Sequence, residues 1–264
     1  MKQVGVVGAG VMGEALIAAL ISYGIPADSI VISEKRSERA DELVQRYGIR
    51  VAELATNVST ADALLLVVKP QDMSAVLEEI KNAINPSALV ITFAAGKKIS
   101  FIENLLGTGN PVIRVMPNTP TLVGAGMAAM SLGKGVSSHQ GSFVSGFLGA
   151  TGKVIEVTED LQDAITATSG SGPAYFFRFV EAMVSAAQEL GLSLADASTL
   201  TIQTIVGAAK LLDESGKSAT TLRENVTSPN GTTAAALASF EEDKIGEVIS
   251  KAMTAARNRS QELA

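Results

Sequence analysis

Five short, almost continuously apolar segments in the first 120 residues restrict the fold of this chain more than any other feature. They cover residues 3–8, 29–33, 63–68, 88–93 and 111–116. Runs of Val, Ile and Leu of this kind are typical of parallel strands that are buried on both faces. Helical patterns lie between them, at about residues 11–23, 36–47, 72–84 and 99–106, so we predict a doubly wound α/β sheet with right-handed crossovers. Residues 126–132 and 153–157 would add two strands around a short helix near 139–149.

The pattern changes after about residue 155, where apolar residues repeat at helical spacing over 176–190, 197–212 and 245–256. We therefore predict a Rossmann-type, dinucleotide-binding domain at 1–155 and an all-α domain at 156–264. The second domain is rich in alanine, and several of its helices are apolar around much of their circumference. Pairing with a second chain would bury these faces, so we predict a homodimer through this domain. Packing against the first domain is the alternative.

The composition excludes several classes of protein. The 264 residues contain no cysteine and one histidine, His139, which we expect on the surface. Disulfides, thiol catalysis and zinc–thiolate sites are therefore excluded, and no metal site is predicted. The net charge of −6 without a basic block argues against nucleic acid, and the apolar runs are too short to cross a membrane. No signal peptide is visible, so we expect a cytoplasmic enzyme or small-molecule binder.

A glycine-rich motif, GAGVMG, directly follows the first predicted strand and opens the first predicted helix. Its first glycine allows a tight turn, its second lets a pyrophosphate approach the backbone, and its third lets the helix pack closely on the strand. The N–H groups and positive dipole end of the helix then face the phosphates. We therefore predict dinucleotide binding by Gly8, Ala9, Gly10, Val11, Met12 and Gly13. The alternative is a glycine-rich turn without function.

The end of the second predicted strand bears on the choice between NAD and NADP. Glu34 lies where an acid usually bonds the ribose hydroxyls of NAD, but Lys35 and Arg36 follow immediately. Two cations suit the 2′-phosphate of NADP, and a guanidinium can also stack on adenine. We favour NADP(H), and NAD(H) remains the alternative.

Five further stretches occur in a characteristic order: VVKPQDM, AAGKKI, RVMPNTPTLVGAGM, SGSGPAYFF and ENVTSPNGTTAAAL. The first three follow or span predicted strands at their carboxyl ends, where open α/β sheets bind ligands. Together the five resemble the pyrroline-5-carboxylate reductase family, over essentially the whole chain from Gly5 onwards. MPNTP, SGSGPAY and TSPNGTT are the most specific of these stretches.

The resemblance implies a Rossmann-type domain, a helical domain that interlocks with that of a second subunit, and in some members a larger ring. It implies reduction of L-1-pyrroline-5-carboxylate to L-proline with NAD(P)H, the last step of proline biosynthesis. Besides the glycine loop, the implied cofactor contacts are Ser33, Glu34, Lys35, Arg36, Val68, Lys69, Pro70, Ala94, Ala95, Gly96 and Asn225. The implied substrate contacts are Glu159 (through its main chain), Thr166, Ser228, Asn230, Gly231, Thr232 and Thr233, with Ser171 lining the pocket.

The chain departs from the family pattern in two places. Asn230 replaces the first glycine of the family's SPGGTT loop, but asparagine tolerates a positive φ better than other non-glycine residues. Family members often carry a cofactor-contacting asparagine before the third strand. Asn57 is the nearest candidate, and its spacing to Lys69 is a few residues short.

The available side chains suit an imine better than a ketone. A cyclic imine is the stronger base and arrives already protonated, so no histidine acid is needed, and Thr233 could hydrogen-bond the imine nitrogen. The SPNGTT loop precedes a predicted helix, whose free N–H groups would bind the substrate carboxylate. Simple N-capping by Thr232 is the alternative.

In the stretch SGSGP we expect a short helix from about Glu159 to end at 169–170 and Ser171 to cap the next helix. Pro173 would then lie in the first turn of that next helix, and the glycines at 170 and 172 would keep side chains away from the substrate.

Two rival functions agree less well with the sequence. The β-hydroxyacid dehydrogenases need a lysine after their glycine-rich substrate motif, and this chain has Arg178 but no lysine before Lys210. A non-catalytic NAD(P) sensor would need neither SPNGTT nor SGSGPAY.

Overall fold

The computed structural model describes residues 1–263, so residue 264, the last of the predicted helical domain, lies outside the described residues. The chain forms two compact units. The first contains Met1–Pro173 and the segment that begins at Ala255, and the second contains Ala174–Thr254. The functional division after residue 155 stays a prediction.

The first unit is built on one eight-stranded sheet with the strand order β3-β2-β1-β4-β5-β6-β7-β8. Neighbouring strands are parallel except for the antiparallel pair β6 and β7. The doubly wound sheet predicted from the apolar runs is thereby confirmed. The strands are β1 Val4–Val7, β2 Ile30–Ser33, β3 Arg50–Val51, β4 Ala63–Leu66, β5 Leu89–Thr92, β6 Val112–Met116, β7 Gly126–Leu132 and β8 Gly152–Glu156.

Helices cover both faces of this sheet, as the near-continuous apolar strands require. The predicted bounds of α1 and α5 are the observed ones, whereas α4 ends earlier than predicted. The edge strand β3 and the helix α3 were not predicted. The helices are α1 Val11–Tyr23, α2 Ser37–Tyr47, α3 Leu54–Thr60, α4 Met73–Ile80, α5 Ile99–Leu106, α6 Ser138–Gly149 and α7 Gln162–Ile165.

The core of the first unit consists of two clusters, one on each face of the sheet. Side chains of one strand alternate between them: Val6 packs in one cluster and Val7 in the other, and Leu65 and Leu66 divide in the same way. This alternation follows from the two-residue period of a strand. It explains why the strands are apolar at every position.

The second unit is helical, and its helices expose much of their apolar surface. Among its residues, Ala197 and Thr201 are buried, while large side chains such as Phe176, Leu200 and Val206 are more than half exposed. No helix among residues 1–263 is long and apolar enough to span a membrane. The helices are α8 Gly172–Glu189, α9 Leu194–Glu214, α10 Ala219–Asn225, α11 Thr232–Glu242 and α12 Ile245–Glu262. Helix α8 begins in the first unit, and α12 ends there.

Candidate active site

The glycine loop joins β1 to α1, and each of its glycines has a distinct steric reason. Gly8 has a φ of 87°, and a Cβ there would lie 2.7 Å from the carbonyl oxygen of Val67. A Cβ on Gly13 would lie 2.5 Å from the carbonyl oxygen of Gly8. A Cβ on Gly10 would meet no atom within 4 Å, and no side chain caps the helix that begins there. The open space is therefore at Gly10, where a dinucleotide pyrophosphate has to approach the backbone.

Two further predicted cofactor segments follow the neighbouring strands β4 and β5. The strand order β1-β4-β5 brings the carboxyl ends of these three strands to one edge of the sheet. Val68 lies beside the glycine loop, since a Cβ on Gly8 would lie 3.2 Å from its Cγ1, and Lys69 is exposed. Gly96 has a φ of 76° and packs against the end of α12, where its Cβ would lie 2.6 Å from the carbonyl oxygen of Ser260.

Glu34, at the end of β2, does not turn towards solvent but binds the glycine loop. Its carboxylate accepts hydrogen bonds from the Ala9 N–H (2.9 Å), from the Arg36 N–H (3.1 Å) and from Arg36 Nε (2.9 Å). Burial alone would raise the pKa of Glu34, but the bonds from Arg36 and Ala9 outweigh burial and lower this pKa to about 2. Glu34 is therefore a carboxylate at any physiological pH, and Arg36 neutralises its charge.

Asn57 is buried beneath the end of β2. Its Nδ2 donates to the carbonyl oxygen of Val31 (3.2 Å) and to Ser33 Oγ (3.0 Å). The amide group therefore supports the strand that leads to Glu34, and we assign Asn57 no contact with the cofactor.

The carboxylate of Glu159 is engaged within the first unit. It accepts a hydrogen bond from the Ile99 N–H (2.7 Å) at the start of α5 and lies 3.4 Å from the guanidinium of Arg114. Arg114 is buried and also faces Asp163 (3.5 Å), which accepts a hydrogen bond from Ser260 Oγ (2.7 Å). The carboxylate is thus held by Ile99 and Arg114, and contact of the Glu159 main chain with a substrate stays a prediction.

The SGSGP junction is not a break between two helices, and the prediction that Ser171 caps the second helix is wrong. The short helix from Glu159 continues through a π-helical turn, Thr166–Gly170, in which the Ser171 N–H donates to the carbonyl oxygen of Thr166 (2.8 Å). Ser171 has helical φ and ψ angles of −85° and −19°, whereas an N-cap residue is extended. Such π-turns are frequent at functional sites.

Asn118, from the MPNTP motif, stabilises this turn. Pro173 has no N–H to donate to the carbonyl oxygen of Ser169 four residues before it. Asn118 Nδ2 donates to that oxygen instead (3.1 Å), and its Oδ1 accepts from the Met127 N–H (2.8 Å). The Thr166 hydroxyl donates to the carbonyl oxygen of Gln162 (2.8 Å). Two of the family-specific motifs are thus joined by one buried side chain.

The predicted substrate loop of the second unit links α10 to α11. Asn225 ends α10, and Asn230 has a φ of 58°, which confirms that asparagine accepts the backbone of the glycine it replaces. The N-cap of α11 is Gly231, and no side chain caps it, so the alternative of N-capping by Thr232 is wrong. A Cβ on Gly231 would lie 2.4 Å from Ser228 Oγ. The backbone N–H groups of Thr232 and Thr233 lie in the first turn of α11, where an N–H has no partner within the helix.

Arg39, in the first turn of α2, was not predicted as a site residue, because its contact with Ala9 spans 30 residues of the chain. Arg39 Nε donates to the carbonyl oxygen of Ala9 (3.1 Å), and its guanidinium also pairs with Glu14 and Glu42. Its position three residues after Arg36 is the signal that could have indicated it. His139 is exposed, as predicted.

Comparisons with known proteins cover the whole chain. Residues 159–263 match the family model for pyrroline-5-carboxylate reductase dimerisation, and residues 3–96 match that for coenzyme F420-dependent NADP oxidoreductases. The pyrroline-5-carboxylate reductase of Corynebacterium melassecola is 40% identical over 267 residues, which cover 100% of this chain and 99% of the relative. The chain belongs to the pyrroline-5-carboxylate reductase family.

Solved structures of pyrroline-5-carboxylate reductases share the fold. The Coxiella burnetii enzyme is 35% identical with a TM-score of 0.91, covering 100% of this chain and 98% of the other. The Plasmodium falciparum enzyme, solved with NADP bound, is 29% identical with a TM-score of 0.89, covering 99% and 98%. The resemblance drawn from MPNTP, SGSGPAY and TSPNGTT is thereby confirmed.

The structure brings the site residues predicted for a pyrroline-5-carboxylate reductase together in three groups. In the first unit, the glycine loop, Ser33–Glu34 and Val68 are in direct contact, since the Gly8 N–H also donates to the Ser33 carbonyl oxygen (3.0 Å). Thr166 and Ser171 are joined by the π-turn. In the second unit, Asn225 ends α10, residues 228–231 lie in the loop that follows it, and Thr232 and Thr233 begin α11.

Proposed function

We propose that this protein reduces L-1-pyrroline-5-carboxylate to L-proline with NAD(P)H, the last step of proline biosynthesis. Binding of the dinucleotide is supported by the glycine loop. Backbone atoms lie close to Gly8 and Gly13, whereas the space beside Gly10 is open. Family membership supports the cyclic imine acid as substrate.

The substrate carboxylate is assigned to the start of α11. The backbone N–H groups of Thr232 and Thr233 lie in the first turn, and the N-cap Gly231 has no side chain to occupy them. A helix N-terminus binds an anion through such N–H groups and its dipole, without a basic side chain. The hydroxyl of Ser228 and the left-handed backbone at Asn230 complete this loop.

The imine nitrogen is assigned to Thr233, whose hydroxyl forms a hydrogen bond with that atom directly or through a water. When bound, the nicotinamide supplies the hydride for the imine carbon. The substrate arrives protonated on nitrogen, so the product needs no strong acid from the protein. Ser171 and the main chain of Glu159, together with Thr166, orient the ring and exclude water.

The cofactor is NADP(H) in preference to NAD(H). Two observations support this choice: Arg36 neutralises Glu34, so the carboxylate repels a 2′-phosphate only weakly, and Lys35 is exposed beside it. The relative from Plasmodium falciparum was solved with NADP bound. Lys69, Pro70, Ala94, Ala95, Gly96 and Asn225 are assigned to the remaining cofactor contacts.

The protein acts as a homodimer through its helical domain, residues 156–264, and a ring of such dimers is the alternative that some members of the family suggest. The exposed apolar faces of the second unit support this, because a unit with almost no buried hydrophobic residue cannot stabilise itself in water. The match to the dimerisation model agrees with it. We place the protein in the cytoplasm and assign it neither a nucleic acid nor a membrane partner.

One assay separates this function from its rivals. NADPH oxidation is followed with pyrroline-5-carboxylate and without substrate, and NADP reduction is followed with a β-hydroxyacid. Turnover with the imine acid alone is the expected result. Turnover with the β-hydroxyacid would assign the protein to that class of dehydrogenase. Tight NADPH binding without turnover on either substrate would make it a sensor.

A further inference from the structure

Two charged side chains hold the peptide groups of Ala9, the second residue of the glycine loop. The carboxylate of Glu34 accepts a hydrogen bond from its N–H (2.9 Å), and Arg39 Nε donates one to its carbonyl oxygen (3.1 Å). Glu34 directly follows β2, and Arg39 lies in the first turn of the next helix, α2. Ala9 itself is buried.

The bond from Arg39 has a direct consequence for Gly10. The carbonyl of Ala9 and the N–H of Gly10 belong to one planar trans peptide, so they point in opposite directions. Anchoring the carbonyl on Arg39 therefore also fixes the direction of the Gly10 N–H. Gly10 is the position where the loop is open and where a pyrophosphate must accept hydrogen bonds from the backbone.

Arg39 is itself held in place by carboxylates. Its guanidinium pairs with Glu14, in the first turn of α1, and with Glu42 on its own helix, and its side chain is only 16% exposed. Glu14 accepts hydrogen bonds from Arg46 and Tyr47 as well. The planar fork of an arginine can serve the carbonyl and two carboxylates at once, which a lysine ammonium cannot do with the same geometry.

We propose that Arg39 is a positioning residue for the pyrophosphate-binding loop and sets the affinity for the dinucleotide, whether NADH or NADPH, without contacting it. The inference deepens the proposed function and rests on its dinucleotide-binding half. It differs from the role assigned to Lys35 and Arg36, which concerns the 2′-phosphate and therefore distinguishes the two dinucleotides.

The chain offers a matched control in Arg46. It pairs with the same two carboxylates, Glu14 and Glu42, from the same helix, but it makes no contact with Ala9. Arg39→Met and Arg46→Met therefore remove the same charge from the same cluster, and only the first releases the loop. Arg39→Lys keeps the charge and serves as the second test if Arg39→Met does not fold.

The test is direct titration of the purified protein with NADPH and with NADH by calorimetry, with thermal unfolding of each variant as a check. Arg39→Met should raise the Kd for both dinucleotides by about tenfold, the value of one charge-assisted hydrogen bond. Arg39→Lys should raise it severalfold, and Arg46→Met should stay within about twofold of the wild type. In turnover, KM for the dinucleotide should rise while KM for the imine acid is unchanged.

The inference is overturned if Arg39→Met and Arg46→Met bind both dinucleotides equally well. It is also overturned if Arg39→Met loses affinity for NADPH alone, because Arg39 would then bind the 2′-phosphate directly. If Arg39→Met does not fold, wild-type affinity of Arg39→Lys overturns it. A wild-type protein that binds neither dinucleotide would refute the proposed function itself.

Discussion

The hydrogen bonds of Asn118 lead to a sharp prediction about stability. Asn118→Ala removes the donor to the Ser169 carbonyl oxygen and the acceptor for the Met127 N–H, both made by a side chain that is 8% exposed. Both backbone groups are partly buried, and each one left without a partner costs about 1–2 kcal/mol. We expect Asn118→Ala to lower the free energy of unfolding by about 2–4 kcal/mol.

The cause of this loss can be isolated, because Asn118 replaces a donor that Pro173 does not have. Pro173→Ala restores an N–H that can donate to the Ser169 carbonyl oxygen. In that background Asn118→Ala should cost less by about 1 kcal/mol, since one of the two orphaned groups regains a partner. The free energies come from equilibrium denaturation in urea at one fixed protein concentration, because association contributes to stability.

Asn110 provides the control for this double-mutant cycle. It is also buried, and its Nδ2 donates to the carbonyl oxygens of Asn85 (2.9 Å) and Ala88 (2.8 Å), away from the π-turn. Asn110→Ala should destabilise the protein equally with and without Pro173→Ala. If Asn118→Ala shows no more coupling to Pro173→Ala than Asn110→Ala does, the explanation of the π-turn given above is refuted.

Four further predictions concern the two loops and the junction. Glu34→Gln should lower the free energy of unfolding at neutral pH. The difference from the wild type should shrink below pH 4.5 and vanish near pH 2, because a depressed pKa stabilises the fold only while the carboxylate is charged. Denaturation series in which the difference does not change with pH would contradict this. Gly10→Ala should keep wild-type stability but weaken dinucleotide binding, whereas Gly13→Ala should lose stability because its Cβ meets backbone at 2.5 Å. Calorimetry and thermal unfolding of the pair test both statements, and equal behaviour would refute them. Thr233→Ala should lower kcat with the imine acid, and full turnover would remove the hydroxyl from the mechanism. Gly172→Val should damage activity more than folding, because a Cβ there meets no atom within 4 Å; a variant with no soluble fraction would refute it.

Much of the fold could be predicted because its signals are local. The apolar runs predict the strands, and the 3.6-residue period of apolar residues predicts helices such as α8 and α9. Short elements were missed, among them β3 with two residues and α3 with seven, because too few positions carry a period. The helix α10 escaped prediction for the same reason.

The backbone geometry of the candidate site could be predicted where one stretch of sequence contains both the residues and their steric reason. GAGVMG and SPNGTT are such stretches, and at Asn230 even the backbone conformation was foreseen. The roles of Glu34 and of Ser171 were not foreseen. Glu34 was considered only as a ribose contact, and the structure binds its carboxylate to Ala9 and Arg36.

The sequence by itself determined the longer strands and helices, the glycine-rich loop and the family, because hydrophobic periodicity and glycine geometry act over a few residues. Only the tertiary structure decided which partners the polar side chains have. Arg39 reaches Ala9 across 30 residues, and Asn118 reaches Ser169 across 51. Such bonds form because buried donors and acceptors need partners, and the fold places these partners next to each other although they are far apart in sequence. A local sequence pattern contains no information about such pairs.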